Sequence, residues 1–167
     1  LPRNEFRIEG EVVWIKLTQG KETCVDLADW PQVQRLRWFT RRRPHTFYVY
    51  AWHGKGREHI PLHRLITGGH FPQVDHKDGN GLNNQRSNLR AATTQENNRN
   101  CKLRVTNLSG FKGVSWSRQS KKWKAQIMDS GRQLHLGVFA SLLEAVECYD
   151  EKAKSLFGAF TRPNFSA

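Results

Sequence analysis

Cysteine is scarce in this 167-residue chain: Cys24, Cys101 and Cys148 are its only three, far apart in sequence. No two of them form a Cys-x-x-Cys pair, so no zinc ribbon is written here, and an odd, scattered count argues against a disulfide framework. A reducing compartment is expected, the cytoplasm of a cell or of a host. Long apolar runs are missing as well. No stretch approaches the roughly 18 residues needed to cross a bilayer, so no membrane partner is expected. The opening residues, Leu1-Pro2-Arg3-Asn4-Glu5, do not read as a secretory signal. Acidic residues are the third shortage, with 15 Asp and Glu against 27 Lys and Arg and a net charge of +12. That balance favours a polyanionic partner. What remains is a globular composition, 37% hydrophobic and 25% charged.

The charge is uneven along the chain. Residues 1–73 carry 12 basic and 7 acidic side chains, residues 74–100 carry 4 and 3, and residues 101–167 carry 11 and 5. Two basic flanks therefore enclose a near-neutral centre. In the first flank, residues 6–17 read as a hairpin-like strand pair and Thr23 to Leu27 as a short strand. Residues 29–39 look like a short helix with Pro31 near its start. Thr46 to Trp52 and Glu58 to Leu62 read as paired strands around a Gly54-Lys55-Gly56 turn, and Leu62 to Thr67 as a helix stopped by Gly68-Gly69. Arg35, Arg37, Arg41, Arg42 and Arg43 make a basic cluster suited to clamping phosphates.

The centre follows the order strand, loop, strand, helix. Val74-Asp75-His76 is a short strand, and Lys77 to Arg86, rich in Gly and Asn, is a loop. Asn88 to Ala92 returns as a strand. Thr93 and Glu96 form a capping box that opens a helix holding Asn97. Hydrolysis of a phosphodiester needs an activated water and something to take up charge on the leaving oxygen. Asp75 offers an anionic oxygen and Asn97 a neutral one, few enough protein ligands for magnesium or manganese to share with phosphate and water. His76, neutral near pH 7, is a suitable base for the water. As neighbours on a strand, Asp75 and His76 point to opposite faces. Asn88 is placed to tie the loop and hold His76 in orientation. His63 is a possible accessory, to touch phosphate or to order the site, or else a packed helix residue.

These residues carry a resemblance. Val74-Asp75-His76-Lys77-Asp78-Gly79-Asn80, Asn83-Asn84, Ser87-Asn88-Leu89-Arg90 and Thr93 to Asn98 resemble the HNH endonucleases of phages and intron-borne homing enzymes, and Leu62-His63-Arg64-Leu65 resembles the segment before their motif. The resemblance covers roughly residues 60–100. It implies a ββα-metal fold and a single-metal nuclease. The general base falls on His76 and the metal ligands on Asp75 and Asn97, where Asn97 stands in place of the more usual last His. The middle Asn falls on Asn88, with a structural role. Many such enzymes carry zinc-binding cysteines around the site; this chain has none, so zinc is not expected and residues 1–66 must support the motif.

Residues 101–108 read as a linker. A second unit, 109–167, holds three strands near 111–118, 122–128 and 133–139, then a helix opened by Ser141 and Glu144, with an apolar stripe from Leu142 to Phe157. Trp123, Ala125 and Ile127 with Leu134, Leu136 and Val138 are expected on its covered face. Lys122, Lys124, Gln126 and Met128 with Gln133 and His135 are expected on the open one. Ser109 to Val114, Lys122 to Ile127, Leu134 to Phe139, Glu144-Ala145, Tyr149-Asp150 and Asn164-Phe165 resemble the APETALA-type, or ethylene-response-factor, DNA-binding domain. The resemblance implies a sheet laid in the major groove, with contacts at Lys112, Gly113, Ser115, Ser117, Lys124, Gln126, Met128, Gln133 and His135. Several of these positions are Arg or Trp in the plant proteins, so the plant target sequence does not carry over.

The fold expected is α+β, a β-rich platform with the HNH motif (residues 1–100) followed by a three-stranded antiparallel sheet on one helix. The function expected is site-specific, metal-dependent cleavage of double-stranded DNA by a homing or phage type of enzyme, acting as a monomer. The alternative is a DNA-binding regulator with an inactive HNH motif.

Overall fold

The computed structural model describes residues 4–44, 46–52, 58–100, 103 and 107–165. The chain is a mixture of α and β built from small antiparallel sheets and short helices, divided into a unit spanning 1–97 and a unit spanning 98–167. The Gly54-Lys55-Gly56 turn expected from the sequence, and most of the linker, lie outside the described residues.

The first unit opens with β1 (Phe6–Glu9), β2 (Val12–Lys16) and β3 (Glu22–Asp26), a three-stranded sheet in that order. A short α1 (Trp30–Val33) leads to the second sheet, β4 (Trp38–Arg42), β5 (Phe47–Trp52) and β6 (His59–Pro61), and to α2 (Leu62–Ile66). The helix expected over residues 29–39 thus stops at Val33, and Trp38 begins a strand. Residues 38–41 alternate with period two: Trp38 and Thr40 are buried while Arg41 is exposed. Trp38 pairs with Ala51 and its indole N–H donates to the Val33 carbonyl at 2.8 Å, which secures the turn between α1 and β4. Arg41 and Arg42 therefore lie on a strand rather than in the loop after a helix.

β7 (Gln73–His76) and β8 (Leu89–Ala92) form a two-stranded ladder, followed by α3 (Thr94–Arg99). Val74 and Leu89 join Val13, Val25, Val49 and Leu62 in one core, so both preceding sheets bury the apolar side of this small pair. Two strands alone would bury too little to stand in water. Thr93 and Glu96 cap α3 reciprocally, through Thr93 N to Glu96 Oε2 at 2.7 Å and Glu96 N to Thr93 Oγ1 at 3.2 Å.

In the second unit β9 (Val114–Ser117), β10 (Lys122–Asp129) and β11 (Arg132–Phe139) form a sheet with β10 central, and α4 (Leu142–Phe157) packs on it. The register corrects the expected alternation on β11. Ala125 faces Gly137 but Gln126 faces His135, so Leu136 is an extra residue in a β-bulge. Beyond the bulge every side chain changes face. Val138 pairs with Lys124 and is 47% exposed, whereas Phe139 pairs with Trp123 and joins the core.

Candidate active site

β7 sorts its side chains by alternation. Gln73 and Asp75 share one face, Val74 and His76 the other. On the first face Asp75 lies opposite Arg90 in the ladder, and Oδ2 of Asp75 accepts from Arg90 Nε at 2.7 Å and Nη2 at 2.6 Å. Asn97, in α3, donates from Nδ2 to Gln73 Oε1 at 3.2 Å, and Gln73 Nε2 donates to Thr94 Oγ1 at 3.0 Å. The helix carrying Asn97 thus stands on the face of β7 that carries Asp75. An anionic oxygen and an amide oxygen on one face fit a hard divalent cation that fills its remaining positions with water and phosphate. No group of three or more His, Cys, Asp or Glu is placed to hold a metal among the described residues.

On the opposite face His76 is 3% exposed. Its ring meets Tyr48 of β5 edgewise at 5.6 Å and His63 of α2 at 5.3 Å, and its Nε2 lies 3.2 Å from Asn84 Oδ1. Burial pushes the imidazole below its ordinary pKa, against smaller opposing effects of Asn84, Asp78 and Asp75, so the neutral ring a base requires is favoured. His63 is pushed further, to about 3, by burial first and then by His76 and Arg64. The His63 ring stands against Tyr48 and His76, where it can order the site.

Asn88 ties the loop. Its Nδ2 donates to Asp78 Oδ1 at 3.0 Å and to the Asn83 carbonyl at 2.8 Å, and its Oδ1 accepts from the Asp78 backbone at 3.1 Å. The side chain that reaches His76 is Asn84. The loop is further held along the edge of β3: Cys24 N donates to the Leu82 carbonyl, Asn84 N to the Cys24 carbonyl, and Arg86 N to Asp26. Gly81 is pressed against β5 so closely that a Cβ there would come within 2.4 Å of the Phe47 carbonyl oxygen.

Three neighbours of the site escaped the sequence reading. The register of the β7–β8 ladder would have paired Arg90 with Asp75, and the Asn83-Asn84 doublet was visible without an assigned task. Nothing local marked Tyr48, which comes from another sheet.

Elsewhere Arg41, Arg42 and Arg43 are exposed, with the Arg41 guanidinium 5.8 Å from the Tyr50 ring centroid. Ser115 and Ser117 pair with Lys124 and Lys122, and Gln133 and His135 with Met128 and Gln126, so these side chains share the face of the second unit's sheet away from α4. Lys112 is not on that face. Its Nζ is directed to the carbonyls of Arg99 and Arg162, at 3.4 and 3.3 Å. Gly113 has no room for a side chain, since a Cβ would stand 2.1 Å from the Tyr149 ring.

The family model for HNH endonuclease matches residues 62–99, from α2 through β7, the loop and β8 to α3. An uncharacterized HNH endonuclease of Acanthamoeba polyphaga mimivirus is 33% identical over 165 residues, 95% of this chain and 84% of the relative. The chain belongs to the HNH endonuclease family and is a nuclease of phage type, with DNA as its substrate. Protein 3.8 of Escherichia phage T7 is 36% identical over 110 residues, 64% of this chain and 88% of that protein. An ethylene-responsive transcription factor of Medicago truncatula is 41% identical over 85 residues, half of this chain but 32% of the factor. No solved structure matches.

Proposed function

We propose that the chain is a site-specific endonuclease of homing type that cuts double-stranded DNA with one divalent cation, acting as a monomer. β7, β8 and α3 form the ββα-metal unit, with Asp75 and Asn97 as the protein ligands. The observation that supports this reading is that α3 stands on the face of β7 that carries Asp75, which brings the Asn97 amide to the side of the Asp75 carboxylate, with His76 the next residue in the strand.

His76 takes a proton from water as the water oxygen bonds to phosphorus. The bond from phosphorus to the 3′ oxygen breaks, leaving a 5′ phosphate and a 3′ hydroxyl that takes its proton from solvent. Magnesium or manganese, when bound, supplies positive charge beside the phosphate and the departing oxygen. Asn88 keeps the loop between the two strands closed. In the protein alone Arg90 balances the charge of Asp75, and its guanidinium is equally suited to a phosphate oxygen.

Address comes from the second unit, read as an APETALA-like module. Its open face presents Ser115, Ser117, Lys124, Gln126, Gln133 and His135 to the major groove, where such side chains distinguish base edges. Arg41, Arg42 and Arg43 add sequence-independent grip on phosphates. Lys112, whose Nζ lies near the Arg99 and Arg162 carbonyls, is left out of that face.

Nicking of supercoiled plasmid tests the reading. Wild type should convert it to open circle with magnesium or manganese and not with chelator. His76→Ala should lose at least about 100-fold in rate, the scale of a lost general base, with binding intact. A fully active variant removes His76 from the mechanism.

A further inference from the structure

The outer face of the β4–β5–β6 sheet carries side chains that the cleavage chemistry leaves unused. Strand alternation sends Trp38, Val49 and Ala51 into the core and their neighbours Phe39, Tyr50 and Trp52 to the other side, where the register sets His59 opposite Trp52. A sheet face turned away from a core is ordinarily polar, and this one is a cluster of rings. Trp52 and His59 have centroids 4.0 Å apart, and Phe39 stands 5.9 Å from Trp52, 5.6 Å from His59 and 6.4 Å from Tyr50. Trp52 is 56% exposed. Rings gathered at the surface in this way mark a binding surface. Its surroundings decide the ligand. Arg41, on the same face, sets its guanidinium 5.8 Å from the Tyr50 ring centroid, and Arg42 and Arg43 follow it, exposed, so an anion is attracted and a cation repelled. At the other end Tyr48 continues the row of rings to His63 and His76, at 5.9 and 5.6 Å, inside the segment that the HNH family model matches. The face thus borders the part of the chain that handles DNA, and what DNA offers to a ring is the flat face of a nucleobase.

We propose that this face is a stacking platform for single-stranded DNA: Trp52, with Phe39, takes the face of an unpaired nucleobase, and Arg41 holds the adjoining phosphate. In a duplex the flat faces of the bases are stacked on one another and closed to protein rings. A nucleobase must leave the helix to lie on Trp52, so the occupant is a frayed or displaced strand beside the duplex. Every nucleobase has such a face, and a guanidinium on phosphate reads no sequence, so the platform adds grip and no address. The proposal rests on DNA being the substrate and on no residue's role in the cleavage step. Trp116 of the second unit serves as its control. It is 49% exposed, and it lies 5.1 Å from Trp123, on the α4 side of its own sheet.

Binding of short oligonucleotides to the full chain, in chelator so that nothing is cut, tests this. The probes are an oligodeoxythymidylate of about eight nucleotides and a strand of the same length with abasic inner positions, so that phosphates match and nucleobases differ. Wild type should bind the thymidylate at least about 10-fold more tightly than the abasic strand. That ratio should hold between about 50 and 200 mM salt while both affinities fall. Trp52→Ala should weaken thymidylate binding about 10-fold and leave the abasic strand as it was. Trp52→Phe, which keeps a ring, should retain most of the ratio, and Trp52→Leu, which keeps bulk without a ring, should lose it. Trp116→Ala should keep the ratio, and Trp52→Ala should bind blunt duplex as wild type does. Equal wild-type affinity for the two strands, a ratio unmoved by Trp52→Ala, a ratio abolished by Trp116→Ala, or weakened duplex binding by Trp52→Ala overturns the proposal. If Trp52→Ala does not fold, the Trp52→Phe and Trp52→Leu pair decides. The assay involves no cleavage, so a wild type that fails to nick plasmid would sink the proposed mechanism and leave this result standing, and a failed platform would leave the mechanism standing.

Discussion

His63 contributes a ring and no charge. It stands edgewise to Tyr48 and His76 at 5.9 and 5.3 Å, and its Nδ1 is buried without a hydrogen-bond partner among the described residues. Its folded pKa of about 3 lies well below the 6.5 of an unconstrained imidazole. Below pH 6.5 the unfolded chain therefore binds a proton that the folded chain refuses. Stability is lost as pH falls from about 6.5 towards 3, by at most about 1.4 kcal/mol per pH unit from this group. His63→Phe keeps a ring in place and removes that share. Urea midpoints at pH 7, 6 and 5 should fall more steeply for wild type than for the variant, and parallel curves would clear His63. At this scale the setting of Asp75, His76 and Asn97 was legible, because a strand–loop–strand–helix order with a capping box is written in short local patterns. Their partners were not. Arg90, Asn84 and Tyr48 are common residue types whose tasks arise from ladder register or from another sheet.

Among the elements, short-period patterns were readable and their interruptions were not. The hairpin of β10 and β11 pairs in simple register up to His135, although Leu134, expected under cover opposite Ile127, is 37% exposed. The bulge at Leu136 then reverses Val138 and Phe139, because an extra unpaired residue shifts a two-residue repeat by half its period. The region after Pro31 misled for a related reason: Val33, Leu36 and Trp38 suit a helical spacing, but pairing with β5 claims Trp38 for a strand. Tight packing at the start of the second unit makes another prediction. Gly113 has φ of +69° and faces the Tyr149 ring. Gly113→Ala combines backbone strain with a clash and should destabilise the second unit by about 2–4 kcal/mol. Thermal unfolding checks this, and a variant as stable as wild type would show that α4 can yield there. Nearby, buried Asp150 accepts from the backbones of Asn164 and Phe165, each at 2.9 Å, which ties the end of the chain to α4.

On the scale of the whole molecule, the proposed function gives cutting to the first unit and addressing to the second, so the two should separate under mutation. Lys124→Ala, Gln126→Ala and His135→Ala combined in the full chain should reduce preference for the specific site about 10- to 100-fold, since each good base-edge contact is worth about 1–3 kcal/mol. Nicking of non-specific DNA at low salt should be nearly unchanged, as it depends on phosphate contacts. Competition between specific and random duplexes measures the ratio, and an unaltered ratio would place the address in residues 1–97. The excess of basic residues, the strand–loop–strand–helix order and the identities of Asp75, His76 and Asn97 were determined by the sequence alone, because charge, short-range periodicity and capping are local properties. Only the tertiary structure decided that Asn84 lies against His76, that Arg90 balances Asp75, and that β3 and β5 brace the loop. Those depend on groups brought together from distant parts of the chain by burial of a shared core, and no local pattern encodes which of them will meet.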